Sequence, residues 1–137
     1  MKRIFTLSII AMAAFLIQGC VRNDSGINES YWLSKERGEV VYNDSYCNYY
    51  VVETYYGYNI VRSYNGYSPY EGAVVYGNFS TKGTRDMYNY STARVFTGTV
   101  TDYWLTYSEA QDALDYYCPT GKAGKREFKT ATQIDIK

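Results

Sequence analysis

Few side chains in this chain of 137 residues are suited to catalysis. Histidine is absent, which excludes the serine–histidine and cysteine–histidine arrangements of nucleophilic catalysis. Paired carboxylates, the requirement for glycoside hydrolysis, remain as an alternative. The candidates near predicted strands or turns are Glu53, Glu71, Asp86 and Asp102. Because acidic residues are ordinary on the solvent faces of strands, we expect no enzyme, no cofactor and no metal site.

Tyrosine is the side chain whose number and placement suggest binding. All 18 tyrosines follow residue 30, and many lie in adjacent pairs between Tyr46 and Tyr76. Adjacent residues of a strand point to opposite faces, so both faces of the same strands carry rings. One face can be core, and the other must meet solvent, another element or a ligand. The candidate ligand-binding residues are Trp32, Tyr55, Tyr58, Tyr64, Tyr67, Tyr70 and Trp104.

A purely structural role for these tyrosines is an equal alternative. Tyrosine favours strands, and a cross-strand aromatic pair stabilises a sheet by about 0.2 to 1 kcal/mol. A tyrosine-rich face can therefore exist only to hold the sheet together.

The N-terminal residues have the layout of a secretory signal. Lys2 and Arg3 precede an apolar run over residues 4–17, which is shorter than the roughly 20 residues needed to span a bilayer. The run ends in Ile17-Gln18-Gly19-Cys20, which resembles the lipobox of bacterial lipoproteins. The resemblance implies cleavage before Cys20 and attachment of membrane lipid to its thiol. Because Val21 is not aspartate, it also implies the outer rather than the inner membrane, with the domain facing the periplasm or the cell surface.

Three segments follow from this interpretation: a signal peptide over residues 1–19, a polar lipidated leash over 20–30, and a single domain over 31–137. In the oxidising compartment that the resemblance implies, Cys47 and Cys118 most simply form a disulfide. Two free thiols are the alternative. Acidic residues slightly outnumber basic ones after the signal, so we expect no nucleic-acid partner.

The mature chain predicts an α+β fold that is mainly β. Strand patterns occupy residues 39–43, 49–54, 59–64, 73–79, 85–90, 94–104 and 128–136. Asn65-Gly66 predicts a tight turn, and residues 31–37 predict a helical turn ended by Gly38. Ser108 and Gln111 predict a capping box for a helix that ends before Pro119. Six or seven antiparallel strands, in a sheet or barrel, with one helix near the C-terminus are expected.

These features together predict a membrane-tethered, non-catalytic protein of the cell envelope. Its tyrosine-rich surface would bind a glycan, peptidoglycan or a protein partner. An assembly adaptor or inhibitor that docks on one envelope protein is the first alternative. A small glycan-active enzyme that uses carboxylates is the second.

Overall fold

The computed structural model describes residues 26–119 and 126–129. The predicted signal peptide, Cys20 and most of the leash lie outside these residues. The described chain forms six strands and two helices, in the order α1 (Glu29–Leu33), β1 (Glu36–Asn43), β2 (Tyr49–Thr54), β3 (Gly57–Ser63), β4 (Val74–Gly77), β5 (Gly83–Asn89), β6 (Arg94–Leu105) and α2 (Tyr107–Tyr117). The mainly β fold with one helix near the C-terminus is therefore confirmed.

The six strands close into an antiparallel barrel. Neighbours around it run β1-β2-β3-β6-β5-β4, so two three-stranded meanders join through the β1–β4 and β3–β6 pairings. Strands β1, β3 and β5 begin at one end, which we call the groove end, and they finish at the other, which we call the loop end. Closure leaves no unpaired sheet edge in the barrel.

Apolar side chains fill the barrel interior. Alternate residues of β6 point inward: Phe96, Gly98 and Val100 are buried between half-buried neighbours. Gly98 is required because a Cβ there would lie 2.9 Å from both the Tyr50 hydroxyl and a Val61 methyl. The interior cluster consists of Val40, Tyr50, Val52, Val61, Ala73, Val75, Phe79, Met87, Phe96 and Val100.

A second core lies outside the barrel, where α2 covers β2 and β3. Val51 and Ile60 pack there against Ala110 and Leu114, which lie four residues apart on one face of the helix. The helix begins two residues earlier than Ser108 predicts. Thr106 is the N-cap and forms the capping box with Glu109.

The predicted disulfide between Cys47 and Cys118 is present, with Cα atoms 5.8 Å apart. Cys118 caps the C-terminus of α2, and Cys47 lies in the loop that connects β1 and β2. The bond therefore fixes the end of the helix to the loop end of the barrel. It closes a loop of 71 residues, which corresponds to about 4 kcal/mol of stabilisation in the chain-entropy treatment.

Several predicted boundaries are wrong. Arg37 and Gly38 belong to β1 rather than to a helical turn, because β1 extends to pair with β4. Phe128 and Lys129 lie outside any strand, although the Lys129 amide donates to the Val41 carbonyl at 2.9 Å. The rest of the predicted closing strand, 130–136, lies outside the described residues.

The tight turn at Asn65-Gly66 is present, with φ of 54° and 72°. Among the described residues, no helix is long and apolar enough to cross a membrane.

Candidate functional site

The groove end has an irregularity in the barrel at Trp104. Tyr58 pairs with Leu105 and Ile60 pairs with Asp102, so β6 contains one more residue than β3 over this stretch. This is a β-bulge, which redirects side chains and is frequent beside functional sites. Trp104 adopts a φ of 57°, a left-handed conformation that costs a residue other than glycine roughly 1 to 2 kcal/mol.

Asn59 supports the bulge from inside the barrel. Its side chain is fully buried, and Oδ1 accepts a hydrogen bond from the Trp104 amide at 3.2 Å. Its Nδ2 donates to the carbonyls of Val52 and Gly57 at 3.0 and 3.2 Å. Asn59 therefore holds the left-handed backbone of Trp104, and both its side-chain oxygen and its side-chain nitrogen are hydrogen-bonded.

The β2–β3 hairpin brings further aromatic rings to Trp104. Tyr56 lies 5.5 Å from the Trp104 ring and 5.4 Å from the Tyr55 ring, measured between centroids. Gly57 ends the turn with φ 131°, and a Cβ there would approach the Leu105 carbonyl to 2.8 Å. We call the exposed group Tyr55, Tyr56 and Trp104 the aromatic rim.

A hydrogen-bonded chain connects the rim to the first residue of β1. The Trp104 indole Nε1 donates to the Ser80 hydroxyl at 2.9 Å. Ser80 donates in turn to Oε2 of Glu36 at 2.8 Å, and the Phe79 amide donates to the same oxygen. The orientation of the Trp104 ring thus depends on the β4–β5 connection and on Glu36.

Glu36 also lines a groove of about 680 Å³ between α1 and the start of β5. The volume is within the range of small-ligand sites, about 300 to 1,000 Å³. Its lining combines aromatic rings with charged and amide groups: Tyr31, Trp32, Ser34, Lys35, Glu36, Gly77, Asn78, Arg85 and Asp86.

The polar groups of the groove differ in whether they already have hydrogen-bond partners within the protein. Arg85 donates to the carbonyls of Asn78 and Lys82, so it organises the β4–β5 connection. Asp86 accepts from Thr97 at 2.7 Å. By contrast, Oε1 of Glu36 is buried without a hydrogen-bond partner within the described part of the chain. Lys35 lies over the Tyr31 ring, 4.5 Å from its centroid.

The Trp32 ring packs against β5. It stacks on Tyr88 with centroids 6.1 Å apart and planes inclined by 21°. The buried Tyr88 hydroxyl donates to Glu29 at 3.3 Å, which fastens α1 to β5, and burial together with the nearby Glu29 carboxylate raises the pKa of Tyr88. A flat ring beside hydrogen-bonding groups is the arrangement that binds the apolar face and the hydroxyls of a sugar.

The candidate binding residues do not lie together: some are at the groove end, some are at the loop end, and Tyr58 and Tyr67 are packed. Trp32, Tyr55 and Trp104 lie at the groove end. Tyr64 and Tyr70 lie in the β3–β4 loop at the opposite end, with 48% and 55% of their surface exposed. The structure therefore does not unite these residues in one site.

Tyr67 and Tyr58 serve mainly as packing residues. The Tyr67 ring lies 5.4 Å from Phe96 and under the guanidinium of Arg94, and its hydroxyl accepts from Asn89. The Tyr58 ring packs against Tyr107 and Phe128 beside α2. Burial, followed by the charge of Glu53, raises the pKa of Tyr58.

The four carboxylates considered for catalysis each have a partner. Glu53 is close enough to Tyr58 for its charge to raise the pKa of that tyrosine, and Asp102 accepts from Tyr117 at 2.9 Å. Glu71 pairs with Lys129 at 3.1 Å at the loop end, whereas Asp86 lies in the groove. In residues 26–119 and 126–129, no group of three or more potential metal-ligating side chains is present.

Most residues of the site were not predicted from the sequence, among them Tyr56, Asn59, Ser80 and Glu36. Glu36 and Ser80 are separated by 44 residues and meet only because β1 pairs with β4. The one local signal is the run Tyr55-Tyr56-Gly57, in which a glycine directly follows two aromatic residues.

Comparisons of the chain with protein-family models, with characterised proteins and with solved structures find no match.

Proposed function

We propose that this protein is a lipid-tethered, non-catalytic component of the bacterial cell envelope that binds a glycan at the groove end of its barrel. The observation that carries the proposal is the groove of about 680 Å³, in which two aromatic rings adjoin Lys35, Glu36 and Asn78. Sugar rings present an apolar face that stacks on aromatic side chains and hydroxyls that both donate and accept hydrogen bonds. The lipobox-like segment ending at Cys20 supports the tether and the envelope location.

Glu36 supports a hydroxyl-bearing ligand. One carboxylate oxygen already receives bonds from Ser80 and Phe79, whereas the other is buried and unpartnered in the described residues. Leaving a buried acceptor unsatisfied costs about 1 to 3 kcal/mol. A sugar hydroxyl that donates to this oxygen would remove the cost, provided that the side chain turns toward the groove.

Retention on glycan material tests the proposal. Purified mature protein is incubated with peptidoglycan sacculi and with envelope polysaccharides, and the bound fraction is measured for Trp32→Ala. We expect at least a tenfold loss of affinity, about 1.4 kcal/mol, because the stacking surface is removed. Tyr64→Ala and Tyr70→Ala are matched controls, since they delete exposed rings at the loop end and should leave affinity unchanged. Circular dichroism verifies that each variant is folded.

Other outcomes would favour the alternatives. If Trp32→Ala and the loop-end variants lost equal affinity for the glycan, the groove would not be the binding site. If no glycan is retained and crosslinking in intact cells yields one protein at constant stoichiometry, the protein is an adaptor or inhibitor. If Glu53→Gln or Asp102→Asn abolishes turnover of a glycan while Trp32→Ala does not, the protein is an enzyme.

A further inference from the structure

In the sequence, the proposed lipid anchor at Cys20 precedes the helix that leads into the groove end of the barrel. The described chain enters there through α1, which begins at Glu29 and leads directly into β1. On α1, Tyr31 and Leu33 expose about half of their surface, 50% and 42%. Both are therefore apolar side chains in contact with solvent immediately after the leash.

The aromatic rim adds a larger apolar surface at the same end. Tyr55 is 95% exposed, and Tyr56 and Trp104 are 58% and 53% exposed. These rings contact one another, so they form a continuous patch rather than scattered side chains. Contiguous exposed apolar patches mark interaction sites, whereas single exposed rings need no explanation.

The length of the leash limits how far this end can lie from the membrane. Residues 21–28 separate Cys20 from α1, and eight residues extend to at most about 28 Å. Because α1 leads directly into the first residue of β1, the leash joins the barrel at its groove end.

The chemistry of the rim fits one occupant, the interfacial region of a bilayer. Tyrosine and tryptophan concentrate at membrane–water interfaces because each ring has an apolar body and a polar tip. Lys35 contributes a positive charge beside Tyr31, and membrane surfaces that contain anionic lipids attract such charges.

We propose that the aromatic rim and α1 lie against the head groups of the membrane that holds lipidated Cys20. This inference rests on the lipid anchor of the proposed function, but not on glycan binding. It also restricts the ligand, because a groove beside a membrane-seated rim opens at head-group level. The saccharides within its reach are then those presented close to the membrane surface.

Depth-dependent fluorescence quenching tests the orientation. Lipidated mature protein is reconstituted in vesicles of phosphatidylethanolamine and phosphatidylglycerol that contain phospholipid brominated near the head group. Trp32→Phe leaves Trp104 as the single tryptophan of the chain. A matched reporter combines Trp32→Phe, Trp104→Phe and Tyr64→Trp, which places one tryptophan at a similarly exposed position of the loop end.

We expect brominated lipid to quench Trp104 at least three times more strongly than the loop-end reporter and to shift its emission to shorter wavelength. Tyr55→Ser combined with Tyr56→Ser in the Trp104 protein should reduce both effects, since it removes most of the patch. Equal quenching of the two reporters in protein that floats with the vesicles would overturn the orientation and leave the anchor intact. Protein that does not float with the vesicles would overturn the anchor and the orientation together.

Discussion

The two ends of the barrel expose similar amounts of aromatic surface but use it differently. At the loop end, Tyr64 and Tyr70 are exposed to about the same extent as Trp104 at the groove end. The loop end also contains the disulfide, the tight turn at Asn65-Gly66 and the packed ring of Tyr67. Those features close the barrel and connect it to α2.

The groove end instead contains features that closure of the barrel does not require. Trp104 has a left-handed backbone at a bulge, an oxygen of Glu36 lacks a partner among the described residues, and a groove separates α1 from β5. Residues held in strained conformations persist where the surroundings determine them, and they are concentrated at functional sites. The groove and its unpaired Glu36 oxygen therefore distinguish the groove end. Left-handed residues other than glycine do not, because Asn65 and Ala93 adopt this conformation at the loop end.

Removal of the disulfide is expected to have the largest effect on stability and little effect on the groove. Cys47→Ala combined with Cys118→Ala should lower the free energy of unfolding by about 4 kcal/mol, because the unfolded chain is no longer crosslinked. Urea unfolding monitored by circular dichroism measures the loss. At a temperature where the variant remains folded, its retention on glycan should match that of the unaltered protein. If the variant lost glycan retention but not stability, the loop end would contribute to binding rather than to stability, contrary to the roles assigned to the two ends.

Two glycines with positive φ provide a matched test of strain at the two ends. Gly57→Ala should destabilise the fold by about 3 kcal/mol, since it combines a glycine-only backbone conformation with a contact to the Leu105 carbonyl. Gly66→Ala should cost only about 1 kcal/mol, because a Cβ there meets no atom within 4 Å.

The fluorescence of Trp104 separates local from global effects of these substitutions. In the Trp32→Phe background, Gly57→Ala should change the emission of Trp104, because Gly57 lies against the bulge. Gly66→Ala should leave the emission unchanged. Similar costs for the two substitutions, or an unchanged spectrum with Gly57→Ala, would contradict the link between the hairpin and Trp104.

Alkaline pH tests the interior that the two ends share. Burial raises the pKa of Tyr50 far above its usual value near 10, and its hydroxyl has no hydrogen-bond partner in the described chain. The stability that depends on this proton is complete below pH 10 and is lost as pH rises through the folded-state pKa. Above pH 10, the free energy of unfolding should fall by about 1.4 kcal/mol per pH unit for this group.

The control for this pH dependence is Tyr50→Phe, which keeps the ring and removes the titrating hydroxyl. Urea unfolding between pH 8 and 11 should show a shallower decline for the variant, with the remainder due to other tyrosines such as Tyr88 and Tyr117, whose pKa values burial also raises. At neutral pH the variant should be as stable as the unaltered protein or more so, because a buried unpaired hydroxyl is removed. An identical decline in both proteins would contradict the burial of Tyr50.

The sequence was sufficient for features that depend on local periodicity. Period-two alternation places Phe96, Gly98 and Val100 on one face of a strand, and helical spacing places Ala110 and Leu114 on one face of a helix. The structure buries both faces. It was insufficient where two local patterns compete. Thr106 with Glu109 and Ser108 with Gln111 both fit a capping box, and the earlier start places the Tyr107 ring against Phe128.

The candidate site was less predictable because it depends on contacts between distant residues. Of the candidate tyrosines, Tyr58 on β3 packs against Tyr107 of α2 instead of facing a ligand, as does Tyr49 on the neighbouring β2 against Tyr117. The bulge at Trp104 arises from a mismatch between β3 and β6, and neither strand shows it alone. Prediction of the groove required knowledge that β4 lies between β1 and β5, beside α1.

The smallest expected effect concerns the ion pair at the loop end. Lys129 lies 3.1 Å from Glu71, but its side chain is 78% exposed, so solvent screens the attraction. Lys129→Ala should change the free energy of unfolding by less than about 0.5 kcal/mol, and high salt should abolish the difference. Glu71→Ala should cost more, because the same carboxylate also accepts from the Asn43 amide at 3.2 Å. Thermal unfolding at low and high ionic strength measures both variants. If Lys129→Ala were the more damaging of the two, electrostatic attachment rather than the disulfide and the packed rings would hold the loop end together.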